Sequence, residues 1–330
     1  MEESYPDDSS PWHEGERSIR RRVGVEAALE AAGPRVIVSR LPRQHVLFLA
    51  QLPYLVLGTV DRSGNPWATL LVGEPGFLVA PNPGELRING ALDVSDPAAA
   101  GCEAGMAIGA LGIDLATRRR ARLNGVLTRV LSDHALLSIR QAFGNCPQYI
   151  VARSADYSPN NAIAETRVVT DAEGLDEPAR DLIAAADTFF VASYTDRQDG
   201  DVRAVDASHR GGKPGFVRVQ GDRLTIPDFR GNRYFNTLGN FVHMPRAGLA
   251  FVDFGTGDVL QLTGDVTLDF EGHEADEFAG AERLWHVQVR RCVLRRRALA
   301  LQFGRGEASR QSLATGEWPD PRGSIAVPEP

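Results

Sequence analysis

Apolar residues along this chain fall into short runs broken by turn residues. Tyr54–Val60 is such a run, closed by the hairpin signal Asp61-Arg62-Ser63-Gly64-Asn65. Trp67–Val72 returns, Gly73-Glu74-Pro75-Gly76 turns again, and Phe77–Ala80 and Leu86–Ile88 follow as strands. Gly105–Asp114, Arg122–Leu131 and Ala135–Ile139 complete a first set. Ahead of them, residues 1–18 read as a polar arm. Arg20–Ala32, with an apolar face on Ile19, Val23, Ala27 and Leu29–Ala31, predicts a helix ended by Gly33-Pro34. Pro42–Leu52 predicts a second, shorter helix. Turns recurring every 8–12 residues favour a barrel or sandwich over a βαβ sheet. Residues 152–178 are polar and read as a connection, Ala179–Asp187 predicts a helix, and from Thr188 the pattern of the first half begins again.

The recurrence has a constant register. At an offset of 139, Gly73-Glu74-Pro75-Gly76-Phe77 falls on Gly212-Lys213-Pro214-Gly215-Phe216. Ala68 falls on Ala207, Gly109 on Gly248, Asp114 on Asp253, Thr117 on Thr256, Leu123 on Leu262 and Gly125 on Gly264. This predicts a mainly β chain with a few helices, built as two tandem copies of one β-barrel that pack as a pseudo-symmetric pair.

The copies differ in chemistry. Arg230–Asn240 holds two Arg, three Asn and one Thr in eleven residues, where the first copy has the small, acidic stretch around Leu92–Glu103. With Ser208, His209, Arg210 and Lys213 just upstream, this run has the composition of an anion cradle, because guanidinium forks and a compact ammonium grip phosphate oxygens. Lys213 is the only lysine of the chain. In the first copy, Arg118, Arg120 and Arg122 share one face by strand alternation and Arg119 takes the other. In a pseudo-dimer that arginine strand reaches toward the sister copy, so one good site per chain is expected, with a degenerate second.

Composition narrows the classes. Apolar content of 43% and charged content of 24% are those of a globular protein. A net charge of −7 argues against nucleic acid as partner. No apolar run approaches the ~18–20 residues of a membrane span. The acidic, polar N-terminus lacks a signal-peptide pattern, so no membrane partner and a cytoplasmic location are expected. Cys102, Cys146 and Cys292 have no paired spacing, and the seven histidines show no metal-ligand spacing, so no metal is expected. His209 is the one candidate for a proton-donating role.

Several stretches carry a family resemblance: His45 with Leu52-Pro53-Tyr54, Gly64-Asn65-Pro66-Trp67-Ala68-Thr69, Thr117–Gly125, Phe143–Ile150, Ser208–Phe216 and Arg230–Asn240. In these the chain resembles the flavin-nucleotide-binding proteins related to pyridoxamine 5'-phosphate oxidase, over nearly its full length. The resemblance implies two tandem split β-barrels of the FMN-binding, Greek-key antiparallel type, with FMN between them. It implies phosphate or ribityl contacts from Ser208, His209, Arg210, Lys213, Arg230, Asn232, Arg233, Asn236, Thr237 and Asn240. Trp67 and Thr69 are implied near the ring, and Arg118, Arg120 and Arg122 at its pyrimidine edge. The set Arg230, Asn232, Arg233, Asn236 and Thr237 has Asn and Arg where the oxidases show a Ser-Arg-Lys run, and no equivalent of their vitamin B6 substrate residues is found, so that activity is not expected.

The implied function is an FMN-dependent oxidoreductase acting on a small-molecule substrate, with a nicotinamide or a reductase as electron donor and a homodimer of pseudo-dimers as the assembly. A non-catalytic flavin carrier and a haem-binding split barrel are the alternatives. The expected layout is an arm and helix over 1–42, the first barrel over 43–151, a linker over 152–178, the second barrel over 179–303 and a mobile tail over 304–330.

Overall fold

The computed structural model describes residues 10–161, 167–196 and 203–319. Three helices open the chain, α1 (Glu14–Arg22), α2 (Glu26–Val36) and α3 (Arg43–Leu49). The break between the first two lies at Gly24, whose φ of +71° a β-carbon would oppose, and not at Gly33-Pro34 as expected. Pro34 sits close enough to the end of α2 to forfeit little of its hydrogen bonding. The expected arm therefore contains the start of α1, held by a capping box between His13 and Glu16.

The first unit follows as β1 (Tyr54–Val60), β2 (Pro66–Val72), β3 (Leu78–Asn82), β4 (Glu85–Asn89), β5 (Ala107–Asp114), β6 (Arg119–Val130) and β7 (His134–Gly144). The strands form one antiparallel sheet in the order β2-β1-β5-β6-β7-β4-β3. Next come β8 (Ala155–Tyr157), β9 (Arg167–Ala172) and α4 (Glu177–Ala185). The second unit is β10 (Thr188–Thr195), β11 (Ala204–Gly211), β12 (Arg218–Gln220), β13 (Arg223–Phe229), α5 (Asn236–His243), β14 (Arg246–Asp253), β15 (Asp258–Asp269) and β16 (Ala281–Arg296). Its order, β11-β10-β14-β15-β16-β13-β12, repeats that of the first sheet, with β9 added beside β16. The chain closes with β17 (Leu301–Phe303), paired to β8, and α6 (Arg310–Leu313). The expected linker thus supplies two strands. The stretch expected to be a mobile tail packs as far as Trp318, whose Nε1 donates to the Phe216 carbonyl. No helix among the described residues is long and apolar enough to cross a membrane.

The repeat reaches the level of irregularities. A β-bulge interrupts the β6–β7 ladder between Asn124 and Gly125, and another the β15–β16 ladder between Thr263 and Gly264, positions 139 apart. Asp114 accepts the Ala116 N–H and Asp253 the Gly255 N–H in matching turns.

Strand alternation explains how the units join. Leu55 and Leu57 face the core of the first unit, whereas Tyr54 and Val56 face a shared apolar layer. In the second unit Phe189 and Val191 point to its own core, and Phe190 and Ala192 to the same shared layer. Strands β1 and β10 are accordingly buried along their whole length. The junction is a core rather than a surface contact, so side chains near its edge are held rigidly.

Candidate functional site

One edge of this junction opens into a cleft. The first unit contributes Arg120 and Arg122 from β6 and Asn145–Tyr149 after β7. The second contributes Ser208–Gly211 from β11, Asp228 and Phe229 at the end of β13, Asn232 and Arg233, and Phe235–Leu238 at the start of α5, with Arg283 of β16 behind. Alternation along β6 sends Arg120 and Arg122 into the cleft, while Arg119 lies over the Phe48 ring at 4.7 Å on the other face.

The cleft is rich in cations, and its carboxylates are mostly committed. Asp228 takes Arg210 (2.9 Å) on one oxygen and Arg283 (2.5 Å) on the other. Glu282 pairs with Arg283 at 2.9 Å and Arg233 at 3.4 Å. Arg122, 4% exposed, reaches Asp206 Oδ1 at 2.8 Å and Asn236 Oδ1 at 3.0 Å. Arg120 pairs with no carboxylate among the described residues; its Nη2 lies 3.8 Å from Cys146 Sγ. Burial lowers its pKa to about 10, and the charges of Arg122 and Arg210 add to that. Nε atoms of Arg120, Arg122 and Arg210 are all buried without a partner among the described residues. So is Nε2 of His209, 7% exposed, whose ring stands edge-on to Phe190 at 5.9 Å. Burial, then the charges of Arg120, Arg210 and Arg153, hold His209 well below its ordinary pKa, so it is neutral at neutral pH.

Helix α5 starts at the cleft without a side-chain cap among the described residues. Phe235 occupies the N-cap position at φ +59° and makes no side-chain cap hydrogen bond. An uncapped helix start presents free N–H groups and the positive end of the helix dipole. Tyr149 and Arg233 also have φ of +60°. Non-glycine residues adopt this region at a cost of roughly 1–3 kcal/mol each, and such strain concentrates at functional sites. Three of the five such residues in the described chain border this cleft. The Ser208 and Thr237 hydroxyls meet at 2.9 Å beside the helix start, and Tyr149 stacks on Phe229 at 5.0 Å along one wall.

The pseudo-symmetric position is closed. There Thr69 replaces Ser208, Gln261 replaces Arg122 and Asp96 replaces Phe235. The ladders Ala121↔Gly144 and Leu260↔Leu294 place Arg295 where the open copy has Asn145. The Asp96 carboxylate heads the short turn Pro97–Gly101 and accepts from Ala98 N (2.9 Å), Gln261 Nε2 (2.8 Å), Arg295 Nη2 (2.7 Å) and the Thr69 hydroxyl. An anion therefore sits at the head of that turn, among equivalent donors, as part of the chain itself. The open copy has Ser208 and Arg122 at these positions, Arg122 held by Asp206, and Phe235 in place of the Asp96 carboxylate at the helix start.

Of the residues the sequence singled out, the structure brings Ser208, His209, Arg210, Asn232, Arg233, Asn236, Thr237, Arg120 and Arg122 to the cleft. Six lie elsewhere. Lys213 sits in the turn after β11, outside the cleft lining, and its backbone N–H donates to Thr315 Oγ1. Arg230 is exposed, and its carbonyl accepts from the Tyr149 hydroxyl. Asn240 is buried behind the cleft on Ser193 and Asp206. Arg118 turns at φ +58° to bond the Ile150 carbonyl. Thr69 belongs to the closed copy, and Trp67 packs on Ala98 and Val293 with its Nε1 on Asp61. Sequence reasoning did not assign Cys146, Tyr149, Asp228 and Arg283 to the site. The stretch Phe143–Ile150 was the available signal for the first two; the others depend on sheet order.

No family model matches the chain, and no curated protein does. Solved structures similar to it include HupZ of Group A Streptococcus, 15% identical over 36% of this chain and 91% of that one, with a TM-score of 0.28. A pyridoxamine 5'-phosphate oxidase candidate from Lactobacillus delbrueckii is 16% identical over 32% of this chain and 95% of that one, with a TM-score of 0.26. An F420 reductase is 13% identical over 31% and 95%, with a TM-score of 0.21.

The donor set can be tested against a nucleotide cofactor. The enclosed part of the cleft measures about 120 Å³. That is the scale of a head group and short of the roughly 300–1,000 Å³ of pockets for drug-sized ligands. Unpartnered Arg nitrogens, an uncapped helix start and two hydroxyls fit a phosphate, so the residues present fit the phosphate end of a flavin nucleotide.

Proposed function

We propose that the chain is a flavoprotein of oxidoreductase type that binds one FMN per chain through its phosphate end at this cleft. The observation that carries the reading is the contrast between the two copies. One has a carboxylate seated at its turn, and the other offers an open helix start with Arg120, Arg122, Arg210, Ser208 and Thr237 around it. In this reading Arg120 and the start of α5 bind the phosphate, and Ser208 and Thr237 orient it. The buried junction excludes water from one side. The flavin, when bound, supplies hydride or electron transfer between a small-molecule substrate and an external donor. His209, held neutral, serves as a hydrogen-bonding group rather than as a charged acid.

A second reading follows from the same histidine. A neutral, buried imidazole with an unpartnered Nε2 is also suited to bind haem iron. A visible spectrum of the purified protein, with the released cofactor identified by mass, tests both. Oxidised-flavin bands, or uptake of added FMN that Arg120→Ala weakens, support the first reading. A Soret band lost in His209→Ala supports the second, and a colourless protein that takes up neither overturns both.

A further inference from the structure

Behind the cleft lies a larger cavity of about 340 Å³, between α1, the β6–β7 bulge and β11. The two spaces share Asn236 as a wall. Its Oδ1 accepts from Arg122 on the cleft side, and its Nδ2 donates to Glu16 Oε1 on the other. The cavity is set apart from the cleft by what its inner walls leave unsatisfied.

Asn124, 5% exposed, donates through Nδ2 to Gln141 Oε1 (3.1 Å) and Asp206 Oδ1 (2.8 Å). Gln141 in turn donates through Nε2 to the Pro11 carbonyl, which fixes the orientation of both amides. Asn124 Oδ1 is left as a buried acceptor without a partner among the described residues. Both Asp206 oxygens are satisfied, by Arg122 and Asn124 on one side and Asn240 on the other. Glu16 is 3% exposed, and burial raises its carboxyl to about 8 against the opposing charge of Arg20. Its Oε1 accepts from Asn236 Nδ2 and its Oε2 from the His13 N–H at 2.9 Å, and the neutral carboxyl keeps one O–H to donate. The charged or titratable groups around it are Arg20 and His13 at its own helix, Arg122 and Asp206 across the junction, and His243 of α5, whose ring meets that of His13 at 5.8 Å. Arg140 and Arg203 line the outer part of the cavity, the latter paired with Asp196 at 2.7 Å.

We propose that this cavity is a second ligand site for a small uncharged molecule bearing a carboxamide or lactam, its N–H given to Asn124 Oδ1 and its carbonyl accepting from Glu16. A carboxylate ligand lacks the N–H, and an ammonium lacks the acceptor. Nicotinamide electron donors present a carboxamide, so the site would hold such a reductant beside the cleft; that extension alone rests on the flavin reading.

The test is calorimetric titration of the full chain, without added flavin, using nicotinamide, nicotinate and benzylamine at pH 6.5 and pH 9. Nicotinamide should bind at least tenfold tighter than either comparison ligand at pH 6.5. It should weaken about tenfold by pH 9 as Glu16 loses its proton, given a pKa of about 8. Asn124→Leu should cost tenfold or more. Glu16→Gln, which keeps a donor on an uncharged side chain, should retain binding and abolish the pH dependence, and it guards against misfolding of the Asn124 variant. Preference for benzylamine that grows with pH, equal binding of nicotinate, nicotinamide binding unmoved by Asn124→Leu, a pH dependence that survives Glu16→Gln, or no nicotinamide binding at millimolar concentration would each overturn the proposal. FMN uptake is measured separately, so failure of the cleft reading and failure of this one give different results.

Discussion

Arg122 of the first unit and Asp206 of the second form an ion pair across the junction, Nη2 to Oδ1 at 2.8 Å, each 4% exposed. Asn124 and Asn240 donate to Asp206, and Asn236 Oδ1 accepts from Arg122. Buried pairs of this kind add little net stability, but removing one member strands the other charge. Arg122→Ala or Asp206→Ala should therefore lower unfolding stability by about 3–5 kcal/mol. Arg122→Met with Asp206→Leu should lose much less than the sum of the singles. Urea denaturation of the three variants gives the comparison, and strict additivity would show that the two residues are not coupled.

Arg120 is the opposite case, a cation in the cleft with a thiol for a neighbour and an unpartnered Nε. Its removal leaves no carboxylate unpaired. Arg120→Ala should leave the melting temperature within a few degrees and weaken inorganic phosphate or FMN binding about 10–100-fold, the range for a lost charge-assisted hydrogen bond of roughly 1.5–3 kcal/mol. Arg120→Lys should recover only part of this, because an ammonium does not reproduce the guanidinium fork. Fluorescence titration with FMN checks affinity and a thermal melt checks the fold.

His209 makes a prediction about pH. Burial and the surrounding guanidinium groups hold its imidazole neutral well below the ordinary range. Anion binding in the cleft should show no histidine transition between about pH 5.5 and 8, where an unperturbed imidazole titrates near 6.5. His209→Gln, uncharged at every pH, should give a superimposable profile, and an inflection near 6.5 present in the native chain and absent in the variant would contradict this.

Glu16 links stability to pH with a definite sign. Its carboxyl ionises near 4.5 when unfolded and near 8 when folded, so the folded chain keeps a proton that the unfolded chain gives up. The contribution is fully present below about pH 4.5 and is lost as pH rises toward 8, on the order of 3 kcal/mol by pH 7. Glu16→Gln removes that loss and forfeits one hydrogen bond of about 1 kcal/mol. The variant should be on the order of 2 kcal/mol more stable than the native chain at pH 7 and slightly less stable at pH 4. Denaturation at the two pH values reads the crossover.

Much of the architecture was legible because the repeat preserves turn chemistry at a fixed spacing. Gly73 and Gly212 each lie under the ring of the phenylalanine four residues on, and Asp114 and Asp253 make the same turn. The site was legible in part. Ser208, Arg210, Asn236 and Thr237 are close in sequence and lie around one cleft, because β11 and the start of α5 are neighbours in the second unit. Asp228 and Arg283 enter through the β13–β16 pairing, which no local pattern encodes. Lys213 was singled out for its rarity, but the tight turn that contains it faces the C-terminal segment. The closed copy, too, needed Arg295 to be placed beside Asp96, 199 positions away.

Gly109 and Gly248, matched at the offset of 139, mark where the two units touch backbone to backbone. A β-carbon on Gly109 would lie 2.6 Å from Ala207 N, and one on Gly248 would lie 2.4 Å from the Pro66 carbonyl oxygen. Residues 66–68 and 205–207 are themselves offset by 139, so each glycine meets in the other unit the segment that its twin meets in return. This reciprocity is the mark of a two-fold interface. Neither neighbour is the end of a flexible side chain, so added atoms must push strands apart inside a shared core. Gly109→Ala and Gly248→Ala should each destabilise by about 1–3 kcal/mol or more, by similar amounts, although the first lies beside Asp206 behind the open cleft and the second beside Trp67 at the closed copy. Gly76→Ala, at φ +98° with open space around the added atom, supplies a backbone-strain control free of overpacking. Thermal unfolding of the three variants decides the point: equal losses support a two-fold junction under the same strain at both ends, and a Gly248→Ala loss no greater than that of Gly76→Ala would show that the closed copy has relaxed its half of the contact.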